Sequence, residues 1–172
     1  MYNEEENIEE VVKNWYLELE KLNINMKMLV VDDGSKDNTF NKLTSMKSKF
    51  PNLEVIHKKN SGHGPTLLFG YKHAIDNRAD YIFQTDSDGQ TMPEEFAQFW
   101  EQRENYSMII GSRKSREDGT SRKIVTRVLR LVIKLTFHVE VEDANTPYRL
   151  MKVETLKKYI DKIFWYFIYV FF

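Results

Sequence analysis

Apolar residues recur along this chain in two alternating rhythms. Ile8, Val11, Val12, Trp15, Leu19 and Leu22 fall at helical spacing, and Asn3 with Glu6 three residues on has the form of a capping box ahead of them. KMLVVD, from Lys27 to Asp32, is a short unbroken apolar run that ends in acid, as a buried strand would. The same alternation then repeats. Asp37 or Asn38 can cap a helix carrying Phe40, Leu43, Met46 and Phe50, and LEVIH from Leu53 reads as the next strand. Pro65 opens a helix with Leu67, Leu68, Tyr71 and Ile75, and DYIFQT from Asp80 is a third strand. Pro93 opens the helix PEEFAQFWEQ, and SMIIG from Ser107 is a fourth strand. Strands alternating with helices, with no tight hairpin signal between them, predict βα units around a largely parallel sheet.

Composition narrows this little. The 172 residues suit one domain, 41% hydrophobic and 30% charged, and a net charge of -1 gives no global attraction to nucleic acid or membrane. The absence of cysteine excludes disulfides and thiolate metal sites and suits a reducing cytoplasm. MYNEEENIEE is too acidic for a signal peptide. The division expected is a catalytic-type domain over 1–160 and an apolar aromatic tail over 161–172. That tail, IFWYFIYVFF from Ile163, is shorter than the roughly 20 residues a bilayer span needs.

In an open α/β sheet, ligands bind beyond the carboxyl ends of the strands. There this chain places Asp32, Asp33, Gly34 and Ser35, then Asn60 to Gly64, then Asp86, Ser87, Asp88, Gly89 and Gln90, then Gly111, Ser112 and Arg113. Asp86 and Asp88, two residues apart at a strand end, would share a side and repel unless a cation lies between them. A hard divalent ion with substrate phosphate completing its shell would relieve that repulsion. A solvated turn whose aspartates cap the next helix is the simpler alternative. A calcium loop lacks its third acid and distant glutamate. A haloacid-dehalogenase-type phosphatase would need Thr directly after the glycine, on the first strand.

Six blocks together, YNEEENI at Tyr2, VVDDGSKDNT at Val30, NSGHGPTLLFGY at Asn60, TDSDGQ at Thr85, GSR at Gly111 and DANTPYRLM at Asp143, carry a resemblance. In order and spacing the chain resembles the family 2 glycosyltransferases of the GT-A fold, in the branch with dolichol-phosphate mannosyltransferase and bacterial polyprenyl-phosphate glycosyltransferases. The resemblance implies a Rossmann-like α/β/α sandwich with a mostly parallel central sheet, here lacking its first strand because the chain starts at the YNE block. It also implies inverting transfer from a UDP- or GDP-sugar, with Mn2+ or Mg2+ on the diphosphate. Tyr2, Asn3 and Glu5 would line the base, with Asp32 or Asp33 near base and ribose. Asp86 and Asp88 would meet ribose and metal, and Gln90 would be a further metal ligand. Gly62 and Gly64 would let backbone approach the donor. Activity of so short a chain is not implied, and an inactive nucleotide-sugar-binding module is an alternative.

The acceptor half is carried by the segment Arg113 to Lys134, which holds eight basic residues against two acidic ones. Ile124, Val125, Val128, Leu131, Val132 and Leu135 share one helical face, so the segment reads as a basic amphipathic helix for a membrane interface or as a core helix with a solvated face. The resemblance places a lipid phosphate on Arg113, Arg122 and Thr126, and a peripheral position on the cytoplasmic membrane face. A phosphate acceptor can attack without a base, whereas a glycan hydroxyl would need one, and Asp143 is the candidate. Pro147 and Tyr148 stand where family members often carry glycine and phenylalanine.

Overall fold

A computed structural model describes residues 1–111 and 146–161. Its elements run α1 (Ile8–Glu20), β1 (Met28–Asp32), α2 (Thr39–Met46), β2 (Leu53–His57), α3 (His63–Asp76) and β3 (Tyr81–Gln84). A 3-10 turn (Pro93–Glu95) then leads into α4 (Phe96–Glu101), β4 (Met108–Ile110), β5 (Arg149–Lys152) and α5 (Val153–Lys157). The α/β alternation follows the hydrophobic pattern. β1 pairs β2 in parallel, with Met28 opposite Leu53 and Asp32 opposite His57.

Beside this parallel pair, the second sheet is antiparallel in its pairing. Its order is β3-β5-β4, and β5 runs antiparallel to both neighbours. β5 is Arg-Leu-Met-Lys, which is too short and mixed for alternation to announce, and its strand state comes from two partners at once. Leu150 and Met151 are buried there.

Helices cover both faces. On one, Ile8 and Val12 of α1 join Val30, Leu43, Met46 and Leu53 in one core. Farther along the same helix, Trp15 packs at a tilt against Phe83, ring centroids 5.3 Å apart, and Tyr148, 5.9 Å apart. On the other, Leu68, Tyr71 and Ile75 of α3 pack with Ile82, Met151, Leu156 and Ile160. Tyr16, absent from the predicted apolar face, is among the most buried side chains and packs on Phe50 at 4.6 Å.

The start of α1 also differs from expectation. Asn3 is not the cap: it has φ 54°, and Asn7 holds the N-cap position. Asn3 instead turns to the loop after β1, donating its N–H to Ser35 Oγ (2.9 Å) and accepting from Lys36 N–H (2.9 Å). At α2 it is Asp37 whose carboxylate accepts the Thr39 N–H (3.0 Å), as an N-capping acid does.

Candidate active site

The carboxyl ends of β1, β2 and β3 and the N-terminal segment meet on one edge. Asp32 and Asp33 close β1 and are buried, yet each is fully engaged. Asp32 accepts from the Ser35 hydroxyl and N–H and lies 2.6 Å from His57 Nδ1. The His57 ring packs in turn on Phe40 at 4.7 Å.

Asp33 accepts from the Lys58 ammonium and from the N–H groups of Ser61 (3.0 Å) and Gly62 (2.9 Å). Burial opposes its charge, but Lys58, Thr66 and those two backbone donors outweigh burial and lower its pKa to about 2. Lys58 also donates to Ser61 Oγ (2.6 Å) and Thr66 Oγ1 (3.1 Å), so one buried ion pair fixes the whole loop ahead of α3. The two aspartates expected near base and ribose are therefore both engaged in holding the loops after β1 and β2. Lys58, Thr66 and His57 were not read from the sequence, because a lysine beside a strand end carries no periodic signal.

Two glycines serve this loop. A Cβ on Gly34 would lie 2.9 Å from the Asn60 nitrogen, so glycine permits the contact between the loops after β1 and β2. Gly62 has φ +89° and precedes α3 as its N-cap, whereas Gly64 lies within the first turn of that helix.

The N-terminal segment is stitched on by backbone. Glu4 N–H donates to Thr39 Oγ1 (2.9 Å) and Glu5 N–H to Asp37 Oδ2 (3.2 Å), and the Glu5 carboxylate accepts from Asn38 N–H (2.8 Å). Glu5 is thus committed to the start of α2. The acid that faces the site is Glu4, whose pKa is raised by burial and next by the charge of Asp88. Tyr2 remains substantially exposed beside it.

β3 ends at Gln84, so strand alternation does not extend to Asp86 and Asp88, which stand on a loop. Asp86 is half-buried while Asp88 and Gln90 are exposed. Asp88 Oδ1 accepts the Gln90 N–H (3.0 Å) across Gly89 at φ +73°. The Tyr148 hydroxyl donates to the Met92 carbonyl (3.2 Å), pinning the exit of this loop with an oxygen that phenylalanine would lack. Arg113, Arg122, Thr126 and Asp143, like the basic segment and all but the first residue of the aromatic tail, lie outside the described residues. Among those described, no helix is long and apolar enough to cross a membrane.

Comparison with known proteins matches residues 1–169 to the family model for glycosyl transferase family 2. The chain is 23% identical over 164 residues to the undecaprenyl-phosphate 4-deoxy-4-formamido-L-arabinose transferase of Shewanella sediminis, covering 94% of this chain and 49% of that protein. It is 26% identical over 136 residues to the undecaprenyl-phosphate mannosyltransferase of Micrococcus luteus, covering 76% of this chain and 56% of the relative. The chain thus spans about half the length of the curated relatives it matches. With the motif order, the α/β layering and a family match over nearly the whole chain in agreement, this protein belongs to glycosyl transferase family 2.

Proposed function

We propose that the protein is the donor-binding part of an inverting glycosyltransferase that moves a sugar from a UDP- or GDP-sugar to a polyprenyl phosphate. The observation that carries the reading is the edge where the Asp33–Lys58 pair fixes the loop before α3 and the loop of Asp86, Asp88 and Gln90 follows β3. Glu4, whose charge is opposed by burial and by Asp88, and the exposed Asp88 are acids placed to engage an incoming ligand. Their mutual repulsion is relieved when a cation or a donor hydroxyl engages them.

The residues present fit a divalent ion shared with substrate. Asp86, Asp88 and Gln90 offer side-chain oxygen donors of the kind Mg2+ or Mn2+ prefers. When bound, such an ion would stabilise negative charge on the departing diphosphate. The chain's own part is to hold the loops still: Asp33 and Lys58 fix the loop before α3, and Asp32 with Ser35 fixes the loop after β1.

In the reaction, an acceptor oxygen forms a bond to the anomeric carbon as the bond from that carbon to the diphosphate oxygen breaks, leaving a nucleoside diphosphate. The polyprenyl-phosphate acceptor is supported by the relatives, whose names specify undecaprenyl phosphate. A phosphate monoester is ionised near neutrality and supplies its own nucleophile, with Arg113, Arg122 and Thr126 as its ligands and the membrane face as its source. Asp143 would become essential as a base only for a glycan hydroxyl.

Thermal melts with UDP, GDP and their sugars, with and without Mn2+, test the donor half. A nucleotide at about a hundred times its dissociation constant should stabilise the fold by roughly 2.7 kcal/mol. The expected result is a rise that requires both one nucleotide and metal and is lost in Asp88→Ala. A cooperative melt unmoved by any of them would refute the reading.

A further inference from the structure

The loop that carries Asp86, Asp88 and Gln90 is held by hydroxyl groups at its neck and at its exit. Thr85 Oγ1 and Thr91 Oγ1 share a hydrogen bond of 2.7 Å, which closes off residues 86–90 just beyond β3. At the exit Met92 is extended and Pro93 begins the 3-10 turn. The Met92 carbonyl accepts twice there, from the Glu95 N–H (3.3 Å) and from the Tyr148 hydroxyl (3.2 Å). The first bond belongs to the turn itself, whereas the second reaches the loop from the far side of the sequence. The Met92 side chain is 60% exposed, so burial adds little to hold the loop at this point.

Tyr148 is a fixed post for its bond. The residue is 5% exposed, and its ring packs edge-on against Phe83 and Phe99 and at a tilt against Trp15. Its main chain is fixed as well. The carbonyl accepts the Gly111 N–H (2.8 Å), and a Cβ on Gly111 would stand 3.1 Å from the Tyr148 Cβ, so the end of β4 lies directly against it. The next residue, Arg149, opens β5 opposite both Gln84 and Ile110. Burial, and after it the charges of Glu95 and Glu94, raise the pKa of the phenol, so the hydroxyl keeps its proton and remains a donor at neutral pH. Aromatic packing and strand pairing thus set where that hydroxyl stands, independently of the loop it holds.

We propose that Tyr148 is a positioning residue for donor binding, its hydroxyl acting with the Thr85–Thr91 pair to keep the 86–90 loop in the conformation that takes a metal ion and a diphosphate. The inference rests on the donor reading above and adds to it a role for an oxygen that phenylalanine, frequent at this position in the family, lacks. A loop that must be ordered on binding loses that ordering cost from the affinity, and a loop held beforehand does not. When only a fraction of the free loop is competent, the apparent dissociation constant rises in inverse proportion to that fraction. One neutral hydrogen bond is worth about a fivefold shift in such a population.

Calorimetric titration of the full chain with Mn2+ and UDP or GDP tests this, set beside urea denaturation of the same variants. Tyr148→Phe deletes the oxygen and keeps the ring and its packing. The expected result is about a fivefold loss of nucleotide affinity at saturating Mn2+, with Thr91→Val moving affinity in the same direction. Tyr16→Phe is the control. It removes a hydroxyl that accepts the Asn52 N–H (3.3 Å) ahead of β2, and it should lower the urea midpoint without changing affinity. Unchanged affinity in Tyr148→Phe, whatever its urea midpoint, would overturn the inference and leave the donor reading intact. An equal loss of affinity in Tyr16→Phe would assign the effect to general loosening of the fold and overturn it as well. Failure of the unsubstituted chain to bind either nucleotide would remove the donor reading itself, and this inference with it.

Discussion

Asp33 shows how a single side chain carries both stability and site geometry. Lys58, Thr66 and the loop N–H groups lower its pKa from an ordinary 3.8 to about 2, so its charged form is favoured by folding. That stabilisation is complete above about pH 4 and fades as pH falls toward 2, with a size on the order of 2 kcal/mol. Asp33→Asn should flatten acid unfolding in that window and, by leaving the partly buried Lys58 without its counter-charge, cost about 2 kcal/mol at neutral pH in urea denaturation. Glu4 has the opposite sign. Its pKa is raised by burial and by Asp88, so its charge opposes folding at pH values above its titration. Glu4→Gln should raise the melting temperature of the ligand-free chain slightly while shrinking the shift that nucleotide and metal produce. A purely structural glutamate would not move those two readouts apart.

At the scale of elements, the loops are set by close backbone approach more than by side chains. Gly62→Ala meets nothing within 4 Å, so its cost is conformational, about 1–3 kcal/mol for a residue at φ +89°. Gly34→Ala combines positive φ with a 2.9 Å contact to the Asn60 nitrogen and should cost more, which paired urea titrations would show. Helices α1 to α4 and strands β1 to β4 were legible because apolar spacing reports them locally. β5 was not, because four residues alternating little in polarity become a strand only between β3 and β4. The misplaced cap at Asn3 has the same origin. Its side chain had two possible partners, its own helix or the loop after β1, and only the folded chain brings the second within reach.

For the described residues as a whole, the two sheets are tied through helices. Trp15 is the chief tie on one face, between Phe83 and Tyr148, so Trp15→Ala should cost about 3–5 kcal/mol and broaden the denaturation curve followed by circular dichroism. A loss confined to stability with an unchanged slope would mean that the ladders hold the halves together without the helix.

Sequence alone determined the βα order, the strand ends that gather acids and glycines, and the family, because each rests on spacing between near neighbours along the chain. Tertiary structure decided which of those acids are engaged by described residues far along the chain. Asp32, Asp33 and Glu5 look as available in the sequence as Glu4 and Asp88, yet Ser35 and His57, Lys58, and the start of α2 engage the first three. Those partners lie up to 33 residues away, a separation at which local pattern carries no information about contact.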